Sequence, residues 1–244
     1  MDKAIFSGCN NNFYICNYYD INCREIKEIC DKYNTDGFIM LEINNGFIMH
    51  FYNRDSSRAP MCGNGIRCLT YFMYLNNLVM SNVDIKIKTD SGIVITKITN
   101  LNPFVVLVNL GKPKEYFSYI AKINNQEIKL EYVFLGTDHV VINGLDFMKN
   151  AKNIQKLSIF KNGCNVNFVN IIDRKNIIVN TYERGVGWTA ACGSGACSSF
   201  YILNKQGLID DNIAVHFKYD NVNVRKIDED IYLEGKCQID EVKI

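Results

Sequence analysis

The chain has 244 residues, 48% hydrophobic and 22% charged, a composition that fits a globular protein with one large core or two modest ones and excludes a disordered chain. Lys and Arg number 27 against 26 Asp and Glu, so the formal charge is +1 and the basic surplus that non-specific nucleic-acid binding needs is absent. No apolar run approaches the ~18–20 residues of a membrane span, and Met1 to Asn12 meets Asp2 and a string of asparagines before any signal-like stretch, so a soluble, cytoplasmic protein is expected.

In chain order, the first predicted helix covers about Cys23 to Tyr33. A second follows Cys62, where Ile66, Leu69, Thr70, Phe72, Met73 and Leu75 carry the apolar spacing of a buried helix. Val83 to Ile98 alternates apolar with polar residues and contains Ile, Val and Thr, as strands do, and Phe104 to Leu110 reads the same way. Pro103 and Pro113 bracket a junction near residues 111 to 118. A third helix follows Cys192 (Ala196, Phe200, Ile202, Leu203), and strand signal returns over Ile213 to Val224. The expected division is 1–115 and 116–235, with a strand at about 236–244 returning to the first half.

Sliding the chain by 130 positions reveals a repeat. Cys62-Gly63-Asn64-Gly65 falls on Cys192-Gly193-Ser194-Gly195, Leu78-Val79 on Leu208-Ile209, Ile85 to Lys88 on Val215 to Lys218, and Asp90 on Asp220. Gly8 to Phe13 echoes Gly163 to Phe168 at five of six positions. Because 49 residues separate Phe13 from Cys62 and only 24 separate Phe168 from Cys192, the helix at Cys23 reads as an extra element of the first half.

The ten cysteines include no Cys-x-x-Cys pair, which disfavours a metal site and a close redox dithiol. Cys9, Cys16, Cys23, Cys30, Cys68, Cys164, Cys197 and Cys237 read as small buried hydrophobes. Cys62 and Cys192 differ, because each opens a helix. There the unpaired N–H groups and the roughly +0.5 charge of the helix dipole favour a thiolate, and thiol pKa values fall from about 8.5 into the range of about 3.5–7.5. Glycines at such a turn also let a carboxylate approach the same N–H groups. Two such sulfurs facing one ligand from opposite sides would remove a proton from one face of a carbon and return one to the other.

His50 to Cys68 (His-Phe-Tyr-Asn-Arg-Asp-Ser-Ser-Arg-Ala-Pro-Met-Cys-Gly-Asn-Gly-Ile-Arg-Cys) and Tyr182 to Cys197 (Tyr-Glu-Arg-Gly-Val-Gly-Trp-Thr-Ala-Ala-Cys-Gly-Ser-Gly-Ala-Cys) resemble the two signature segments of the diaminopimelate epimerases. The likeness extends in order to Phe6 to Phe13, to Gly136-Thr137-Asp138-His139 and to Asn165. It implies an α/β (α+β) fold of two pseudo-symmetric halves, each a strongly curved sheet around a central helix, with a catalytic cleft between them. It further implies an isomerase of amino-acid metabolism, in lysine biosynthesis, that needs no pyridoxal phosphate or other cofactor and no metal, takes a small amino acid, and forms a possible homodimer.

Carried over, the resemblance makes Cys62 and Cys192 the acid/base pair, His139 the partner of Cys62 and Glu183 that of Cys192. Gly63-Asn64 and Gly193-Ser194 would hold the α-carboxylate. Asn11, Asn53, Asn165, Glu183 and Arg184 would be further substrate contacts, and His50 and His216 structural. The chain departs from the family at three places. Thr137 and Asp138 stand in a segment that usually reads Gly-Asn-Pro-His, Asp55-Ser56-Ser57 replaces Asp-Gly-Ser, and Trp188, the single tryptophan, occupies a usually acidic position. Thr137 and Trp188 both bear on substrate choice, so LL-diaminopimelate is expected first, with lanthionine and a histidine-type racemase as alternatives. A non-catalytic binding relative should have lost one sulfur, and both are present.

Overall fold

A computed structural model describes residues 1–240, which divide into two units: Met1–Asn109 with the segment from Glu234 onward, and Leu110–Leu233. In the first unit, β1 (Lys3–Gly8) and β2 (Asn11–Asn17) form a hairpin whose turn residues Cys9 and Asn10 sit in the left-handed region at φ 51° and 64°. Helix α1 (Cys23–Tyr33) carries the chain to β3 (Gly37–Ile43), parallel to β2, and β4 (Phe47–Asn53) returns antiparallel. Helix α2 (Gly63–Leu75) then crosses to β5 (Ile85–Thr89), parallel to β4, and β6 (Gly92–Leu101) and β7 (Phe104–Asn109) complete a meander.

The ends of α1 follow from its sequence. The Asn22 side chain accepts the N–H groups of Arg24 and Glu25 while the Glu25 carboxylate accepts the Asn22 N–H, a capping box, and Asn34 ends the helix in the left-handed region. Helix α2 packs against β1, β2, β3, β4, β6 and β7, so the sheet of this unit curves around it. That is why the helix is apolar on nearly every side, with Ile66, Leu69, Phe72 and Met73 fully buried, each burial contributing ~1.5–3 kcal/mol.

The second unit begins with β8 (Glu115–Ile123), β9 (Gln126–Phe134) and β10 (Asp138–Asn143), joined antiparallel. A 3-10 turn (Met148–Asn150) and the short α3 (Ala151–Gln155) lead to β11 (Asn165–Asp173), parallel to β10. Strand β12 (Asn176–Glu183) is antiparallel to β11, and the two-residue β13 (Gly187–Trp188) folds back on it. Helix α4 (Gly193–Lys205) crosses to β14 (Asn212–His216), parallel to β12, and β15 (Asn221–Ile227) pairs with β14. This unit's sheet also curves around its helix, since α4 packs on β9, β10, β11, β12 and β15. The chain continues through β16 (Asp230–Lys236), and β17 (Gln238–Asp240) pairs antiparallel with β1; the rest of the expected strand, 241–244, lies outside the described residues.

The repeat holds as a mixed fold of two halves, with four corrections. First, the parallel pairs β2/β3 and β4/β5 correspond to β10/β11 and β12/β14, so β10 is the counterpart of β2. The Gly8 and Gly163 segments therefore occupy different places in the two units. Second, α1 is not an extra helix: it fills the crossover that the 3-10 turn and α3 fill in the other unit. Third, the second hairpin sits two residues earlier than the 130-residue offset requires, Val215 opposite Val222 matching Ile87 opposite Val94. An even shift leaves the same face inward, which is why the alternation alone did not reveal it. Fourth, Cys23 is exposed rather than buried, because it is the first residue of α1.

Candidate active site

The two Cys-Gly-x-Gly segments build the same local structure twice. Cys62 and Cys192 are the N-cap residues of α2 and α4, each 13 residues long, with nearly equal extended backbone angles (φ −136°, ψ 119° and φ −131°, ψ 110°). In the usual serine or aspartate cap an oxygen accepts the N–H two or three residues on; here a sulfur does. The Gly65 N–H donates to Cys62 Sγ at 3.4 Å and the Gly195 N–H to Cys192 Sγ at 3.3 Å, and the Ser194 hydroxyl lies 3.5 Å from Cys192 Sγ. Those donors and the helix dipole stabilise negative charge on each sulfur. Gly65 and Gly195 leave no room for a side chain. A Cβ at Gly65 would lie 2.9 Å from Ile39 Cδ1, and one at Gly195 would meet Asn167 Oδ1 and Thr181 Oγ1.

The lead-in to each cysteine is repeated too. Tyr52 bridges Arg58 as Tyr182 pairs with Trp188, and the N–H groups of Ala59 and Thr189 donate to Phe51 and Thr181. By this register Asn53 is the counterpart of Glu183. Asn53 donates to Ser57 Oγ at 3.0 Å, whereas Glu183 Oε1 accepts the Thr189 hydroxyl at 2.6 Å. Burial raises the Glu183 carboxyl above its ordinary range, while hydrogen bonds from Thr189 and Cys192 work the other way. A carboxylic acid touching Cys192 and drawn toward its neutral form can exchange a proton with it.

His139 lies in the same unit, fully buried, and burial with the nearby Arg184 charge lowers it from an ordinary 6.5 to about 3. It is therefore neutral at working pH. Asn167 Nδ2 donates to the Val140 carbonyl and its Oδ1 accepts the Thr181 hydroxyl, so the amide orientation is fixed and His139 Nδ1, at 3.1 Å from Nδ2, must accept. The proton thus resides on Nε2, which donates to Thr137 Oγ1 at 3.0 Å.

Asn165 Nδ2 donates to Thr137 Oγ1 and the Asp138 carbonyl, and its Oδ1 accepts the Arg184 N–H at 2.9 Å. The Arg184 guanidinium donates to the carbonyls of Asn162 and Gly163 and stands 3.7 Å from Asp138 Oδ2. Trp188, 48% exposed, packs on Phe168 and Tyr182 with ring centroids at 5.9 and 5.4 Å. The second unit thus carries Thr137, His139, Asn165, Glu183, Arg184, Trp188, Cys192, Gly193 and Ser194. The first carries Asn11, Asn53, Cys62, Gly63 and Asn64, with Asn64 donating to Asn11 Oδ1 at 2.7 Å.

Residues 22–115 and 132–239, most of the chain and both cysteine turns, match the sequence profile of the diaminopimelate epimerases. The chain belongs to the diaminopimelate epimerase family. It is an isomerase of the epimerase/racemase kind. A diaminopimelate epimerase from Caldanaerobacter subterraneus is 31% identical over 95% of this chain and 94% of its own length, and one from Prochlorococcus marinus is 35% identical over 78% and 76%. Solved structures share the fold at low identity. A PhzF-family phenazine biosynthesis protein from Bacillus anthracis superposes with TM-score 0.76 at 14% identity, covering 99% and 98% of the two chains. A hydroxyproline epimerase from Agrobacterium vitis reaches 0.71 at 12%, covering 98% and 90%.

Four residues that support this epimerase-family site are not apparent from its motifs. Asn167 and Thr181 lie two residues from Asn165 and Glu183 on β11 and β12, so the period of a strand puts them on the same inward face. Thr189 follows Trp188 inside the quoted segment. Arg67 lies within the first signature, and its only signal is an ionised residue in an otherwise apolar helix.

Proposed function

We propose that the chain is a cofactor-independent epimerase acting on LL-diaminopimelate, inverting one α-carbon by a two-base thiolate/thiol mechanism through Cys62 and Cys192. The observation that carries this reading is the pair of cysteine-capped helices with matching N–H to Sγ geometry. One sulfur, as thiolate, takes the α-proton and becomes a thiol. The other, as thiol, delivers its proton to the opposite face of the carbanion and becomes a thiolate. The reverse reaction exchanges the roles. Charge that develops on the α-carboxylate is met by N–H groups at Gly63-Asn64 and Gly193-Ser194, preorganised donors of the kind that contribute most to such steps. Each positioned acid or base adds about 10²–10⁴-fold.

In this reading Glu183 serves as proton partner of Cys192. By its place in the family-like segment, neutral His139 is the partner of Cys62, with its Nε2–H given to Thr137 Oγ1. Asn11, Asn53, Asn165 and Arg184 contact the rest of the substrate, and Arg184 pairs with the distal carboxylate. Thr137 replaces a carboxamide with a hydroxyl already shared by His139 and Asn165. Trp188, packed on Phe168 and Tyr182 and half exposed, is the residue that would favour an aromatic side chain if the substrate were of the histidine type.

The test compares kcat/KM for LL-diaminopimelate, lanthionine and L-histidine. Diaminopimelate is expected to lead L-histidine by at least about tenfold, since L-histidine lacks the distal carboxylate and a hydrogen bond to a charged group contributes ~1.5–3 kcal/mol. Histidine in the lead would overturn the substrate assignment.

A further inference from the structure

We infer that Arg67 is a positioning residue that sets the direction of a hydrogen-bond relay through Asn64 and Asn11, so that both carboxamides offer N–H donors to a substrate carboxylate. The inference rests on the reading above only in placing substrate at those two residues.

Arg67 lies on α2 with no exposure to solvent. Its guanidinium donates to the Gly63 carbonyl at 3.3 Å, the Lys236 carbonyl at 3.2 Å, Cys9 Sγ at 3.2 Å and Asn64 Oδ1 at 2.7 Å, and no carboxylate is among these acceptors. Taking a cation out of water with no carboxylate among its acceptors in the described residues is costly, and Met would fill similar space without that cost. The β1–β2 turn is pressed onto the same group: a Cβ at Gly8 would lie 3.2 Å from Cys68 Sγ and 3.6 Å from both Arg67 Nη2 and the Asn64 carbonyl. Arg67 therefore joins the start of α2, the turn before Asn11 and the chain just before β17.

The direction of the relay follows from donor and acceptor chemistry. A guanidinium only donates, so the side-chain oxygen of Asn64 must face it and the Asn64 amino group must face Asn11. Asn64 Nδ2 donates to Asn11 Oδ1 at 2.7 Å, which turns the Asn11 amino group toward Asp36 Oδ2, 3.4 Å away. A carboxylate only accepts, and Asp36 also takes the Asn12 N–H at 2.9 Å. With a fixed donor at one end and a fixed acceptor at the other, neither amide can flip. Each oxygen is occupied and each nitrogen keeps a second N–H, which suits a carboxylate and repels a competing donor.

The experiment uses the full chain and three variants: Arg67→Lys, which keeps the buried charge but not the fork of donors, Asp36→Asn at the exposed far end, and the two together. Side-chain amide signals of Asn64 and Asn11 are followed by NMR, and kcat and KM are measured for LL-diaminopimelate. Arg67→Lys should raise KM about tenfold with kcat changed by less than about threefold, and Asp36→Asn should raise KM about threefold. The double variant should fall short of the product of the two, because both changes undo one relay. Asp36→Asn should also shift the amide signals of Asn64, which it does not touch. Multiplicative effects on KM, or Asn64 signals indifferent to Asp36→Asn, would overturn the inference, and the second readout decides even if Arg67→Lys does not fold. A wild type that turns over no amino acid would defeat the proposed function, while the amide signals would still decide the relay.

Discussion

Cys62 and Cys192 are set apart from the other eight cysteines by what surrounds the sulfur. Burial pushes Cys16 and Cys164 up to about 12 and Cys68 well above its ordinary value, so those thiols stay protonated and inert. Cys62→Ser and Cys192→Ser should each lower epimerisation by about 10²–10⁴-fold or more, because a serine hydroxyl cannot take the place of the thiol/thiolate at neutral pH. Cys197→Ala, fully buried on α4, should keep its turnover; a folded Cys192→Ser enzyme of near-normal rate would contradict the assignment. His139 gives a second prediction. Its folded value of about 3 lies below the ordinary 6.5, so between those pH values the unfolded chain binds a proton that the folded chain does not. Folding stability contributed by neutral His139 is therefore complete above pH 6.5 and declines as pH falls toward 3, by about 1.4 kcal/mol per pH unit in mid-window. Urea denaturation of wild type and His139→Gln from pH 4 to 7 should give a shallower pH dependence for the variant. Equal slopes would show that His139 is not held neutral.

Helix caps and strand registers explain both what can be read from the sequence and what cannot. The Cys-Gly-x-Gly turns are legible because a helix start is specified by a few adjacent residues, and α1 is legible because Asn22 and Glu25 form a capping box three residues apart. The correspondence of β2 with β10 is not legible, since it depends on parallel pairing across crossovers of different length, information that local patterning does not hold. The same applies to Asn167 and Thr181, whose role appears only when β11 and β12 pair and α4 lands on them. A prediction at this scale concerns the third residue of each helix. Gly195→Ala forces a Cβ into Asn167 and Thr181, whose mutual 2.9 Å bond holds His139 in place, and should cost at least about 2 kcal/mol. Gly65→Ala meets the movable end of Ile39 and should cost less. Thermal unfolding of the two variants ranks them, and a smaller loss for Gly195→Ala would contradict this packing.

Across the whole molecule, two units of the same strand order each present one sulfur at a helix start, and one has an acid at the position where the other has Asn53. Duplication followed by divergence of the partner groups yields two thiols of unlike surroundings, as a base and an acid must be. The most direct test is to run the reaction in D₂O without pyridoxal phosphate and stop it early, then locate deuterium by NMR and mass spectrometry. Two monoprotic thiols predict label at the inverted α-carbon of the product and almost none in the recovered substrate, because the sulfur on the substrate side holds the proton it removed. Equal early labelling of substrate and product, or a requirement for added pyridoxal phosphate, would contradict the two-thiol account.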